Sequence, residues 1–473
     1  MEQTLADTER IVRLKWPGPE AFESPEALQR ALARRAERVE GLLEGRSRRP
    51  RPRLTFGRVF RRIAMRGAHG SFRGASGGAG AGGPAADGGE RVSEWRREGV
   101  GAWGVEADGA AADALEESAS DLLRFDHDRG FAFPPPQAAV ADKVAGHQLE
   151  RIGVDSFARA KGRGKGVRVA ILDSGIDLAH PELSALELDR KACWSWYRPH
   201  APERGKFGAI PLRTGQAYET RHYHGTAVAG LVAGGTSGVA PEATLLAHNV
   251  YYKRPRREVE RLGWTDANGV RHQPDATLKS VEGALMYATA SNTDVIVISL
   301  GTQGYDPCFE EEIENIHSYS AKTLIVVAAG NSGPGTHLSP GDYRGVLTVG
   351  AIDWHGRFWT RTSGARLDLP SAYVKPDLYA PGADLELPVP SAVSASGYLR
   401  KSGTSFAAPI VGGVAALIIG WYRDRGKTLA AEEVREHLLE TATDVTVPAE
   451  LGGTGKRLDV GRALAALKPS VPT

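Results

Sequence analysis

The sequence predicts an α/β fold built on a parallel sheet with helices on both faces. Three observations carry this. Short β-branched runs end in a carboxylate or a glycine, at 166–175, 294–301 and 323–330, as buried parallel strands do. Stretches of helical spacing, 278–290 and 430–443, lie around them. A long apolar run, 406–419, opens on Ser402-Gly403-Thr404-Ser405 and reads as a tight turn entering a buried helix. Strands that alternate with helices form sheets covered on both sides.

The 473-residue length exceeds one small domain, so two regions are expected. A hydrophobic fraction of 41% and a charged fraction of 25% are those of a soluble globular protein, and a net charge of +2 points to no particular partner. Cys193 and Cys308 are too few for a disulfide framework and are expected as free thiols. Residues 1–25 contain no apolar signal-peptide core, and Glu2, Asp7 and Glu9 oppose one. No stretch has the ~18–20 uninterrupted apolar residues of a membrane span. A cytoplasmic protein with no membrane partner is the expectation, with export by another route as the alternative.

Residues 1–147 are read as an N-terminal regulatory region, small α+β or partly disordered. A strand is predicted at 11–16. Ser24-Pro25-Glu26 supplies a cap, a first-turn proline and a first-turn acid for a helix over 24–43. The arginine-rich stretch 46–66 has sparse aromatics and no accompanying nucleic-acid-binding motif, and reads as a solvated segment in preference to a nucleic-acid patch. A flexible Gly-rich linker at 67–89, a short helix at 111–123 and an extended Pro-rich connector at 131–136 follow.

The candidate chemistry lies in 148–467. Asp173 ends the first strand, where α/β sheets carry their sites. His224 heads a run of small residues that reads as a helix start; His222 and His180 stand nearby, and position alone does not choose among the three. Asn331 follows a strand-end glycine, and Ser405 sits at the start of the apolar helix, where free N–H groups favour developing negative charge. Taken singly, each has a plainer role: Asp173 as a cap or turn residue, His224 as a structural histidine, Asn331 as a left-handed turn residue, and Ser405 as a first-turn residue of a helix capped by Ser402 or Thr404.

Together these residues form a recognisable set: Ile171-Leu172-Asp173-Ser174-Gly175, His224-Gly225-Thr226, Ala328-Ala329-Gly330-Asn331 and Gly403-Thr404-Ser405. Weaker markers, His180-Pro181-Glu182-Leu183 and Pro376-Asp377 among them, lie in order between them. With these motifs the chain resembles the subtilisin-like serine proteases, the subtilase family (peptidase S8). The resemblance covers about two thirds of the chain and implies a three-layer parallel sheet with helices on both faces over 148–467, with 1–147 propeptide-like.

The resemblance implies a serine endopeptidase acting through an acyl-enzyme. Ser405 would be the nucleophile, His224 the base, Asp173 its orienting carboxylate and Asn331 the oxyanion donor. Ser299, Leu300 and Gly301, with Ala328, Ala329 and Gly330, would frame the S1 pocket and bind an extended protein or peptide substrate. The N-terminal region would act as an intramolecular inhibitor until processed. No cofactor is implied for the reaction. Calcium stays possible, but the loop 234–239, short and without acids or amides, lacks the family's tight site. Two insertions depart from the family, 193–221 and 251–273, the second beside the S2–S4 subsites. Segment 332–339, the expected S1 floor, has no acid, although Asp342 is close by. The alternative from another class is an idle protease-like scaffold whose working part is the basic N-terminal region.

Overall fold

The computed structural model describes residues 11–14, 27, 30, 31, 34, 123–126, 130, 131, 148–154, 156–189, 192–195, 210, 211, 222–251, 264, 265, 271, 272, 276–303, 305, 307–368, 372–391 and 393–468. The expectations for the basic stretch 46–66 and the Gly-rich stretch 67–89 lie outside these residues.

One 10-stranded sheet organises the chain. Its strands are β1 (Arg168–Asp173), β2 (Trp194–Ser195), β3 (Ile210–Pro211), β4 (Thr244–Asn249), β5 (Val295–Ile298), β6 (Leu324–Ala328), β7 (Leu347–Ile352), β8 (Leu378–Pro381), β9 (Thr443–Thr446) and β10 (Thr454–Arg457). They lie in the order β9-β10-β8-β7-β6-β5-β1-β4-β2-β3. All neighbours from β10 to β2 are parallel, and only the outermost strands β9 and β3 pair antiparallel. From β1 the chain moves one way to β4, then returns to the other side of β1 at β5. The order therefore reverses between β1 and β5, the kind of switch point at which open α/β sheets have their crevice, outside the carboxyl ends of the strands.

The strands are apolar on both faces because both faces are covered. Val169, Ile171, Val295 and Val297 meet the helices α1 (His224–Ala233), α4 (Thr404–Arg423) and α5 (Ala431–Glu440). Their sequence neighbours Ala170, Leu172, Ile296 and Ile298 point the opposite way, against α2 (Leu278–Ala290) and α3 (Pro307–Tyr319). The period of two in a strand makes this division automatic. The predicted α/β architecture is the one observed.

Helix α4 is the innermost element. By length and composition it is apolar enough to cross a membrane, yet its apolar window is 100% buried, as in the core helix of a globular fold. A methyl group built on Gly412 would stand 2.7 Å from Cγ2 of Val297, so only glycine lets the helix lie this close to β5. Its far end is pinned by charge. Arg423 donates to both oxygens of Asp294 at 2.7 and 2.8 Å, Lys322 adds a bond at 2.8 Å, and the Arg168 N–H adds one at 2.9 Å. Burial acts to raise the Asp294 pKa, but these donors outweigh it and hold the carboxyl below its ordinary range.

In the N-terminal region Ile11–Leu14 pairs antiparallel with Leu123–Asp126. The strand predicted over 11–16 is thus present at its described residues, Ile11–Leu14. The predicted helix at 111–123 does not include Leu123, whose backbone is drawn into this ladder opposite Leu14. Ala27, Arg30, Ala31 and Arg34 are helical, with Ala31 buried, inside the helix predicted for 24–43. At the head of the predicted Pro-rich connector, Gly130–Phe131 is a strand paired antiparallel with Ala276–Thr277.

Asp294, directly ahead of β5, is bonded to Arg168 at the start of β1, to Arg423 at the end of α4 and to Lys322 ahead of β6. Asp294→Ala strands Arg423 and the Arg168 N–H, and is expected to cost about 3–5 kcal/mol. Because the native pKa lies below the unfolded one, the contribution is complete above about pH 4 and fades as the pH falls further. Denaturant unfolding of both proteins at pH 7 and pH 3 checks it, the difference shrinking at the lower pH.

Candidate active site

The crevice at the carboxyl ends of β1 and β5 collects the residues named from sequence. Asp173 closes β1, and His224 is the first residue of α1. His224 Nδ1 is 2.9 Å from both carboxylate oxygens of Asp173, and the two side chains are each 2% exposed. A carboxylate this buried needs a positive or donating partner, and an imidazole N–H held by both oxygens is fixed in tautomer and orientation. The loop around the pair is tightly tied. Ser174 N–H donates to Asp173 Oδ1 at 2.7 Å, the Gly225 N–H donates to Ser174 Oγ at 2.9 Å, and the Asp177 N–H donates to Thr226 Oγ1 at 3.0 Å. A Cβ on Gly225 would collide with the Gly175 carbonyl, which is why glycine follows the histidine.

The other two histidines are separated by their surroundings. His180 accepts from the Glu182 N–H at 3.1 Å through Nδ1, and so donates from Nε2 to the Gly397 carbonyl at 2.8 Å. It is a structural cap. His222 stacks on Tyr223 and lies over Tyr251, its ring 6.1 Å from that of His224. Burial, reinforced by His224 and opposed by Asp173, pushes its pKa down to about 4. Burial and the Asp173 charge push Tyr223 up to about 12. The Asp173–His224 pair therefore sits beside two neutral rings at neutral pH.

Ser405 is the second residue of α4 and is buried. It is joined to the end of β5 by a reciprocal pair: Ser405 Oγ donates to the Ser299 carbonyl at 3.2 Å, and Ser299 Oγ donates to the Ser405 carbonyl at 3.0 Å. The second bond has a covalent cause. Position 409, four residues on, is proline, which has no N–H to give the Ser405 carbonyl. Ser299 supplies the missing donor. The ring of Phe406, the next residue, is 5.6 Å from that of His224, which brings the imidazole to the first turn of α4.

Asn331 follows β6 and Gly330. Its side-chain oxygen accepts from the Thr404 N–H at 3.0 Å and the Thr404 hydroxyl at 2.9 Å, while Thr404 Oγ1 accepts from the Gly330 N–H at 3.0 Å. Two donors on the oxygen fix which end of the amide is which, so Nδ2 is left to point elsewhere. A Cβ on Gly403 would meet Nδ2 at 3.2 Å. Thr404, which the sequence alone offers as a helix cap, instead orients the amide. The cap position is Gly403, with no side-chain cap bond. Of the expected substrate frame, Ser299, Leu300 and Gly301 continue β5, and Ala329 and Gly330 continue β6 from Ala328; the two strands are adjacent and parallel.

The loop 234–239 is held by Glu182. The Thr236 N–H (2.8 Å), the Ser237 N–H (3.0 Å), the Ser237 hydroxyl (3.1 Å) and the Tyr398 hydroxyl (3.1 Å) donate to its carboxylate, as does the Thr236 hydroxyl. Burial would raise its pKa, but these bonds prevail and lower it. A loop that turns N–H and O–H donors to a carboxylate does not fit a calcium ion, which needs six to eight oxygens turned inward. Among the described residues no three His, Cys, Asp or Glu side chains are grouped to hold a metal. Cys193 is buried, and its sulfur accepts from the Ala247 N–H at 3.2 Å.

Comparison with known proteins first gives the class, a subtilisin-like serine protease. The profile of the subtilase family (Peptidase_S8) matches residues 164–456, and the chain belongs to that family. It is 30% identical over 308 residues to the major intracellular serine protease of Bacillus subtilis (strain 168), covering 63% of this chain and 82% of that protein. It is 32% identical over 326 residues to the subtilisin-like protease PopC of Myxococcus xanthus (strain DK1622), covering 66% of this chain and 62% of that protein. It is 28% identical to the thermophilic serine proteinase of Bacillus sp. (strain AK1), where the match spans 63% of this chain and 60% of that protein. Among solved structures it is similar to the prenylagaramide maturation protease PagA, at 24% identity and a TM-score of 0.47, over 65% of this chain and 96% of that one.

The depressed His222 pKa has a consequence for stability. The unfolded histidine protonates near 6.5 and the folded one near 4, so folding loses stability as the pH falls through that interval. At about 1.4 kcal/mol per pH unit the loss is about 3 kcal/mol by pH 4. His222→Gln is expected to shrink the fall in unfolding free energy between pH 7 and pH 4 by about that amount, measured by urea titration at each pH.

Proposed function

We propose that this protease hydrolyses peptide bonds through Ser405, His224 and Asp173, with Asn331 as oxyanion donor. The observation that carries the reading is the buried Asp173–His224 pair, bonded through Nδ1 at the mouth of the helix that begins with Thr404 and Ser405. The Ser405 hydroxyl turns from the Ser299 carbonyl to His224 Nε2 and attacks the substrate carbonyl carbon as its proton passes to Nε2. Asp173 stabilises the imidazolium and keeps its geometry. The new oxyanion is met by the Ser405 N–H, at the positive end of α4, and by Asn331 Nδ2. Collapse delivers the proton from Nε2 to the leaving amine and leaves an acyl-serine. Water attacks the ester with His224 again as base, and the acid and free Ser405 are released.

The substrate is a peptide in extended form, laid along the backbone beyond β5 and β6. The N-terminal region restrains this site in the uncleaved chain. The pairing of Gly130–Phe131 with Ala276–Thr277 supports this: the chain's own strand takes an edge directly after the insertion 251–273, where the family resemblance sets the S2–S4 subsites. Calcium is not assigned to loop 234–239, for the reason given by its donors.

Purified wild type is expected to clip itself before residue 148 and digest casein, while Ser405→Ala stays whole and inert, read by intact mass and gel. Casein hydrolysis undiminished in Ser405→Ala would overturn the assignment. Thr404 acts through Asn331, so Thr404→Val is expected to lower kcat on the order of tenfold with little change in KM. On an Asn331→Ala background the same substitution should add almost nothing. Additive losses would mean that Thr404 has another role.

A further inference from the structure

The backbone segments beyond β5 and β6 face each other at Gly301 and Gly330, residues with no side chain to fill the space between them. That space is taken by a third residue. A Cβ built on Gly330 would stand 2.7 Å from Leu338 Cδ1, and one built on Gly301 would stand 3.1 Å from Leu338 Cβ and 3.5 Å from its Cδ1. One leucine side chain therefore reaches both glycine walls. We propose that Leu338 closes the floor of the S1 slot and limits the residue on the acyl side of the scissile bond (P1) to small side chains: glycine, alanine or serine. This rests on the protease reading above, and it gives that site its substrate class.

The backbone that carries Leu338 is held in place. The residue is 9% exposed. Its strand, Leu338–Ser339, is laddered antiparallel to Thr302–Gln303, with Gln303 opposite Leu338, and its carbonyl accepts from the Asp342 N–H at 3.1 Å. The leucine is thus fixed from the same backbone that continues Gly301. The acid nearest in sequence does not offer a basic P1 residue a partner at the surface. The Asp342 carboxylate is 1% exposed and accepts from Ser339 Oγ and His337 Nδ1, both at 2.9 Å. A single methylene too many in an apolar specificity pocket changes kcat/KM by about 10–200-fold, and a phenyl or lysyl side chain exceeds a methyl group by several.

The test compares the full chain with Leu338→Gly and Leu338→Ala on Ala-Ala-Pro-X p-nitroanilides in which X is Ala, Phe or Lys. Active enzyme is counted in each preparation by fluorophosphonate labelling, and folding is checked by circular dichroism. The expected result is a wild-type kcat/KM at least 30-fold higher for Ala than for Phe or Lys. In either variant the Phe substrate should gain at least tenfold per labelled site while Ala changes little. Wild-type preference for Phe or Lys over Ala would overturn the proposal, and Lys preference would assign Asp342 the role denied it here. Variants that label normally yet gain nothing on Phe would also overturn it. If none of the proteins labels, the protease reading fails and this inference falls with it. Should the variants not fold, the wild-type P1 order alone still decides.

Discussion

The site depends on a helix that has no freedom to move. Helix α4 is buried along its apolar length, lies against β5 where Gly412 permits it, and is tied at its far end by Arg423 to a carboxylate that also holds the start of β1. A buried helix in a close-packed interior behaves as a rigid rod, so fixing its far end and its packed face fixes its first turn. Ser405 is in that first turn. Pro409 then removes the one helical bond the Ser405 carbonyl would have, and Ser299 replaces it from the end of β5. Helix and sheet are thus joined at Ser405 itself.

Around that turn, polar groups hold one another in orientation. Asp173 is buried and stays compatible with its surroundings because His224 meets both its oxygens. Thr404 uses one hydroxyl twice, giving its proton to the Asn331 oxygen and accepting the Gly330 N–H. Donors arranged before any charge forms need no rearrangement when it does, which is where electrostatic catalysis gains over water. His222 and Tyr223, both kept neutral by burial, line the pair without competing for its proton.

Much of this was legible in the sequence. The α/β order followed from β-branched runs and helical spacing, and α2 was predicted to the residue. The four motif blocks brought Asp173, His224, Asn331 and Ser405 into view, and the structure bonds Asp173 to His224 and Asn331 to Thr404, the neighbour of Ser405. What was not legible has a common cause. The roles of Thr404 and Ser299 come from contacts across 73 to 106 residues, Asn331 with Thr404 and Ser299 with Ser405, and that of Leu338 from its approach to Gly301 in a different strand end. Local spacing carries no record of such pairs; Thr404 looks like a cap because a threonine ahead of an apolar run usually is one. The proline four residues after Ser405 was the available clue that an outside donor was needed. Likewise nothing within 111–123 reveals that Leu123 pairs with Leu14 in a distant strand. Position alone did not tell His222, His180 and His224 apart; the His224-Gly225-Thr226 motif pointed to one of them, and the partners of each ring now separate the three.

The central claim is that Ser405 is activated by the Asp173–His224 pair. The most direct measurement is to treat the protein with a fluorophosphonate and locate the adduct by tandem mass spectrometry, in wild type and in His224→Ala. A single adduct on Ser405 is expected, formed at least 10²-fold more slowly without the imidazole, in line with general-base contributions of about 10²–10⁴. An adduct on another serine, or labelling of Ser405 at an unchanged rate in His224→Ala, would contradict it.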